Sequence, residues 1–249
     1  DLDLTDHCPG FGSAARYAAL SAAELALDAS GLPIHVVVLE LMGRNAGWVT
    51  AASAMAKRLT DCEVLTYLPE VPVDEGQMLA DIEKGYAKGK GLLVTVSEGI
   101  CGPDGKPLAD TGIVDGFGHK IPGGTAQHVT DQIIQRLGLK SRAEKPGLLG
   151  RASIPYVSPV DRAEAYAVGR YAMNAALRDE SGYMVSIEAV RGPEYSSSMA
   201  LVTLAKVANV EKKFPLEWIV DGNGIADAFF DYALPLMGGE FPEYALLRK

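Results

Sequence analysis

The chain has 249 residues, 48% of them hydrophobic and 22% charged, enough for a sizeable core in one large domain or two smaller ones. A formal net charge of −9 argues against a nucleic-acid footprint, and no apolar run approaches the roughly 18–20 residues that cross a bilayer. No basic-then-apolar leader opens the chain, and Cys8, Cys62 and Cys101 are widely scattered, so the reading is of reduced thiols in a cytoplasmic protein without a membrane or nucleic-acid partner.

The first periodic element is Ala-rich, "GSAARYAALSAAELALDAS" from Gly12 to Ser30, a helix expected to stop at Gly31 ahead of Pro33. "IHVVVLEL" is short, apolar and β-branched, the pattern of a strand buried on both faces. "AGWVTAASAMAKRL" predicts a helix, "EVLTYL" a strand, "VDEGQMLADIEKGYAKG" a helix and "GLLVTVSEG" a strand. "GTAQHVTDQIIQRLG" predicts a helix ending at Gly138, and "DRAEAYAVGRYAMNAALRD" another with Ser158 as its cap. "GYMVSIEAV" follows as a strand, and beyond Gly192 the periodicity fades into Gly and Pro punctuation. Strands separated by helices predict an α/β fold, mostly parallel sheets covered by helices, with strand order left open.

In such sheets ligands bind beyond the carboxyl ends of the strands. Met42-Gly43-Arg44 stands at one such end: Gly43 would admit a ligand close to the backbone, and Arg44 would offer a planar fork of donors. An ordinary turn with a solvated arginine accounts for the spacing as well. Glu70 and Glu98 end the next two strands, where a carboxylate would accept hydrogen bonds from sugar hydroxyls or simply face water. Lys140, Arg142, Lys145 and Arg151 fall within twelve residues, a cluster suited to a phosphate or to a solvated loop. "TDHCPGFGSA" is Gly-rich ahead of a helix but fits neither common phosphate-loop pattern, so a tight capped turn is expected. The four histidines show no metal-ligand spacing.

Taken in order, "TDHCPGFGSA", "LELMGRNAGW", "YLPE", "SEG", "DGFGH" followed by "GG", "GLLGRASIPYVSPVDRAEA" and "VANVEKKFP" resemble the phosphofructokinase family, and within it the bacterial branch that commonly uses pyrophosphate. The resemblance runs from Asp1 to about Pro242. It implies a Rossmann-like phosphofructokinase fold and transfer of a phosphoryl group, with Mg2+, to the 1-hydroxyl of fructose 6-phosphate. The donor would be pyrophosphate or ATP. Met42, Gly43 and Arg44 match the motif that contacts the sugar and its reacting end, with Arg44 as charge stabiliser. Glu70 matches a carboxylate that holds sugar hydroxyls, and Arg142 and Arg151 match two arginines on the 6-phosphate. The first of that pair comes from a neighbouring subunit in the family, which implies a homo-oligomer.

The departures matter equally. Asp1 aligns with the last Asp of a "TIDND"-type segment, so the catalytic base, the donor loop and the magnesium-binding Asp would lie before it. Residues 1–249 would then be the acceptor-binding, C-terminal portion of a two-domain enzyme, inactive alone. His35 and Leu148 stand where many members carry phosphate-binding groups, and a leucine has no donor to offer. A non-catalytic sugar-phosphate-binding module of the same fold is the alternative.

Overall fold

The computed structural model describes residues 2–32, 35–89, 91–114, 120–122 and 124–246. The motif "DGFGH" (residues 115–119), the first glycine of the "GG" pair and Asp1 lie outside the described residues. In chain order the helices are α1 (Phe11–Gly31), α2 (Trp48–Ala52), α3 (Ala56–Leu59), α4 (Glu75–Tyr86), α5 (Thr125–Gln132), α6 (Leu149–Ala152), α7 (Pro159–Ala176), α8 (Leu204–Val207) and α9 (Asp227–Met237). The strands are β1 (Val36–Leu41), β2 (Glu63–Tyr67), β3 (Leu92–Ser97), β4 (Asp110–Val114), β5 (Lys120–Pro122), β6 (Ser141–Glu144), β7 (Tyr183–Val190), β8 (Ser196–Thr203), β9 (Ile219–Val220) and β10 (Gly224–Ile225).

One parallel sheet forms the centre, in the order β2-β3-β1-β6. Every residue of β1 and β3 is buried, as their unbroken apolar runs predict. Alternation sorts their side chains between two layers. Val37, Leu39, Leu41 and Leu93 pack against the alanine stripe of α1 and against α2 and α3. Val36, Val38, Leu92, Val94 and Val96 face Met78, Leu79 and Ile82 of α4 and Ala126 and Val129 of α5. The small alanine side chains let α1 approach closely. Between α2 and the sheet runs a chain of buried hydroxyls: Ser53 Oγ donates to Thr95 Oγ1 at 2.8 Å, and Thr95 Oγ1 to Thr66 Oγ1 at 3.0 Å. A hydroxyl buried here without a partner would cost about 1–3 kcal/mol.

The fold class holds with qualifications. β4–β5, β7–β8 and β9–β10 are antiparallel pairs outside the central sheet. β7 stands where "GYMVSIEAV" predicts a strand, and its eight-residue partner β8 and the helix α9 occupy the stretch whose periodicity fades after Gly192. Three serines in β8 and Pro235 within α9 conceal them, because serine has no strand signature and proline reads as a breaker. Gly31 is the last residue of α1 rather than a left-handed cap, and Leu32 ends the helix in an extended conformation. The cap at Ser158 is present, its side chain accepting from the Asp161 amide. No helix among the described residues is long and apolar enough to cross a membrane.

A buried charge cluster ties the first residues to α7 and β7. His7 lies between two carboxylates, Nδ1 2.8 Å from Asp6 and Nε2 2.7 Å from Glu164. Arg191 forks onto Asp6 at 2.6 and 2.7 Å, and the Tyr195 hydroxyl donates to Glu164 at 2.6 Å. Burial disfavours the imidazolium, but the hydrogen bonds to Asp6 and Glu164 outweigh it and raise the His7 pKa above its ordinary 6.5. Burial likewise pushes Glu164 up, yet His7 and Tyr195 bring it below its ordinary 4.5. The carboxylate contribution is therefore lost as pH falls below that value, and the His7 contribution is complete below 6.5 and lost as pH rises through the folded value. In urea unfolding, His7→Gln is expected to cost about 1–3 kcal/mol at pH 6 and progressively less above the folded pKa. An equal cost at pH 6 and pH 9 would remove the imidazolium from this account.

Candidate functional site

The connection leaving β1 runs to α2 on one face of the sheet, while that leaving β3 runs towards α5 on the other. β1 and β3 are neighbours, so their carboxyl ends open a crevice where two connections diverge. A narrow cleft of about 20 Å³, open to solvent, lies there. Met42, Glu40 and Leu41 of β1 and its end, Glu98 after β3, Tyr17 and Ala14 of α1, and Lys145 to Gly147 after β6 line it.

Gly43 continues β1 into its turn with φ +148°, and its carbonyl accepts a hydrogen bond from Ser97 Oγ at 2.6 Å. A Cβ at Gly43 would stand 2.5 Å from that hydroxyl and 2.6 Å from the Ala46 carbonyl. The glycine is thus required by the protein's own packing, whereas the sequence suggested close approach of a ligand. Gly99, two residues beyond Ser97, presses on the Arg44 backbone so closely that a Cβ would overlap the Arg44 carbonyl. Arg44 itself is exposed, and its side chain forms no hydrogen bond or ion pair among the described residues. Its backbone is fixed and its guanidinium is available.

Three glutamates at strand ends take three different jobs. Glu40 is 2% exposed, and its Oε2 accepts from the Ala126 amide at 2.9 Å, where the N-terminus of α5 favours a negative charge. Lys145 Nζ stands 2.5 Å from Glu40 Oε1, an ion pair by distance without hydrogen-bond geometry at that oxygen. Glu98 is half-buried in the cleft wall, its amide donating to the Leu41 carbonyl at 3.0 Å. Glu70 lies elsewhere: one oxygen accepts from the Gly47 amide at 3.0 Å and the Phe214 amide at 2.9 Å, and the other is buried without a partner. Glu70 therefore braces the loop that carries Arg44, and of the two glutamates Glu98 is the one that lines the cleft.

The basic cluster divides as well. Lys145 lines the cleft, while Arg151 is exposed in α6 just beyond Gly150, a lining residue of the cleft. Leu148 is 68% exposed and does not line the cleft, although its neighbour Gly147 does. Arg142 pairs with Val37 near the start of β1, five residues or about 17 Å along the strand from Met42. His35 is one step further back, its Nδ1 accepting from the Lys140 amide at 3.2 Å. Neither is a lining residue of the cleft of its own chain. Sequence reasoning passed over Glu40 and Tyr17. An acidic residue inside "VVVLEL" was the available signal, because a carboxylate in a doubly buried strand needs a partner.

A family profile described as Phosphofructokinase matches residues 1–176. The chain is 39% identical to the pyrophosphate–fructose 6-phosphate 1-phosphotransferase of Methylococcus capsulatus, over 98% of this chain and 60% of that protein. It is 38% identical to the enzyme of the same name from Halomonas elongata, over 98% and 60%. The crystal structure of a pyrophosphate-dependent phosphofructokinase from Nitrosospira multiformis superposes with a TM-score of 0.84 at 34% identity, covering 98% of this chain and 59% of that one. The chain thus spans about 60% of the length of these relatives.

The packing of Gly99 makes a direct test. Gly99→Ala is expected to destabilise the fold by about 2–4 kcal/mol, because the added Cβ would overlap the Arg44 backbone, which cannot swing aside as a side chain would. The urea midpoint should drop accordingly, and an unchanged midpoint would show that the turn is looser than described.

Proposed function

The chain belongs to the phosphofructokinase family, and from that premise we propose that it forms the acceptor-binding portion of an enzyme that phosphorylates the 1-hydroxyl of fructose 6-phosphate, with pyrophosphate as donor. The observation that carries this reading is the cleft at the β1–β3 crevice, lined by Met42, Tyr17, Glu98 and Lys145, with Arg44 two residues beyond Met42 and Arg151 next to the lining Gly150.

In this reading the sugar ring lies against Met42 and Tyr17, and Glu98 accepts hydrogen bonds from its hydroxyls. Lys145, held by Glu40, and Arg151 from α6 take the 6-phosphate. Arg44 faces the reacting end. Phosphoryl transfer needs little covalent help from the protein, so fixed geometry and neutralisation of spread charge supply most of the acceleration. Leu148 leaves one family position without a donor, so the grip on the phosphate rests on the cations alone.

Arg142 supports an oligomer. It lies three residues, about 10 Å along the chain, before Lys145 and does not line its own cleft, so we assign it to a phosphate in the cleft of a second copy. His35 lies beside it on the neighbouring strand, so both would face the same partner.

Magnesium accompanies this chemistry by neutralising charge on the donor. Among the described residues no three His, Cys, Asp or Glu side chains are grouped to hold a cation, and no step above is assigned to one.

The assay is formation of fructose 1,6-bisphosphate from fructose 6-phosphate and Mg2+ by the protein that carries this chain, with pyrophosphate and with ATP. Product with pyrophosphate is expected, product with ATP alone would change the donor, and none with either would overturn the proposal. Arg44→Ala should lower kcat by about 100-fold or more while shifting stability by less than about 0.5 kcal/mol. Glu98→Gln should raise the KM for fructose 6-phosphate by about tenfold, whereas Glu70→Gln should act mainly on stability, by about 1–2 kcal/mol. The opposite assignment of these two effects would return the sugar to Glu70.

A further inference from the structure

The motif "VANVEKKFP" has no part in the cleft, yet its four residues Glu211–Phe214 contact Asn45, Trp48 and Glu70 beside Arg44. Asn45, the neighbour of Arg44, is held twice: its Nδ2 donates to Glu211 Oε1 at 2.6 Å, and its carbonyl accepts from Lys213 Nζ at 2.7 Å. Lys213 also donates to Glu211 Oε2 at 2.9 Å, which closes the ring. The Lys212 carbonyl accepts from the Trp48 indole at 2.8 Å, at the first turn of α2. Phe214 is 1% exposed, its ring 5.2 Å from Trp48 and its amide on the oxygen of Glu70 that also accepts from Gly47.

Lys212 reaches in the other direction. Its half-buried ammonium donates to the carbonyls of Thr5 at 2.9 Å and Asp6 at 2.7 Å. Those carbonyls belong to the segment that the buried His7 cluster fixes to α7 and β7. Side chain and carbonyl of a single lysine therefore connect two bodies that the chain sequence separates by some forty residues. An ammonium donating to two carbonyls in a half-buried place specifies a distance, which a flexible surface lysine does not.

We infer that the strap Glu211–Phe214 sets the position of Arg44 relative to the Thr5–His7 segment, and that Lys212 and Lys213 are positioning residues for phosphoryl transfer. The inference rests on the functional reading above, in which Arg44 faces the reacting end. The strap touches no substrate. It acts through Asn45 and Trp48, which follow Arg44 in the same loop and at the start of α2. Loss of the strap frees the Arg44 loop while Glu98, Lys145 and Arg151 stay in place, so acceptor binding is retained and the chemical step suffers. A displacement of about 1 Å in such a group is enough for a tenfold to hundredfold loss of rate.

Two variants of the protein carrying this chain test this, Lys212→Met and Lys213→Met, each also made in the Arg44→Ala background. Lys212→Met should lower kcat by about tenfold or more, and Lys213→Met by about threefold, with the KM for fructose 6-phosphate within about twofold of wild type. In the Arg44→Ala background each should cost less than about twofold further, because the residue they position is gone. Amides of Asn45–Trp48 should exchange with solvent about tenfold faster in both variants. Equal losses in both backgrounds would overturn the inference and leave the strap a general support. Unchanged exchange at Asn45–Trp48 would overturn it too. If Lys212→Met does not fold, Lys213, which is half exposed, decides by the same measures. If the wild type yields no fructose 1,6-bisphosphate, the functional reading fails, and the exchange arm still decides whether the strap holds the loop.

Discussion

The hydrogen bond from Ser97 to the Gly43 carbonyl, with Gly99 pressed on the backbone of Arg44, is the contact on which the organisation of this molecule turns. Parallel pairing of β1 and β3 brings two strand ends level, but pairing alone leaves their following loops free to diverge. The hydroxyl and the two glycines lock those loops together just where the connections separate to opposite faces of the sheet. A crevice with rigid walls results, and a charged side chain at its rim then has a defined place. Rigidity of this kind is what electrostatic catalysis of phosphoryl transfer requires, since donors that must reorganise during the reaction give up much of their effect.

Environment, more than residue type, divides the carboxylates. Glu40, Glu70 and Glu98 all follow or end strands of one sheet, yet Glu40 is buried under Lys145 and a helix terminus, Glu70 is spent on two loop amides, and Glu98 faces the cleft. Those three environments give a scaffold that orients a cation, a brace for the loop of Arg44, and a carboxylate that lines the cleft. The family motif carried over residue by residue points to Glu70, one of whose oxygens here accepts from two loop amides. Motif order records position along the chain, whereas the oxygen that remains available is decided by what else reaches it.

Two networks remote from the cleft keep its parts in register. The buried cluster of Asp6, His7, Glu164, Arg191 and Tyr195 anchors the first residues to α7 and β7, and Lys212 joins that anchor to Trp48 and the Arg44 loop. Such networks favour a single arrangement because each partner lost would leave a buried polar group unsatisfied. The aromatic group of Trp48, Phe214, Trp218 and Phe229 packs beneath the strap, so the apolar and polar devices reinforce one another.

Much of the central architecture was legible in the residues themselves. The apolar runs of β1 and β3, the alanine stripe of α1 and the capping Ser158 follow from periodicity and local hydrogen bonding, which depend only on near neighbours in the chain. β6, with its polar "SRAE", and β8, with its three serines, were not legible, because an edge or ribbon strand is stabilised by its ladder and needs no apolar signature. The sequence by itself determined the fold class, the place of Met42-Gly43-Arg44 beyond a buried strand and the family resemblance of its ordered motifs. Tertiary structure alone decided that Gly43 serves internal packing, that Glu98 and not Glu70 lines the cleft, and that Lys145 rather than Arg142 lines it from the basic cluster. The reason is that backbone preference is local, while burial, free oxygens and reach are set by segments distant in the chain.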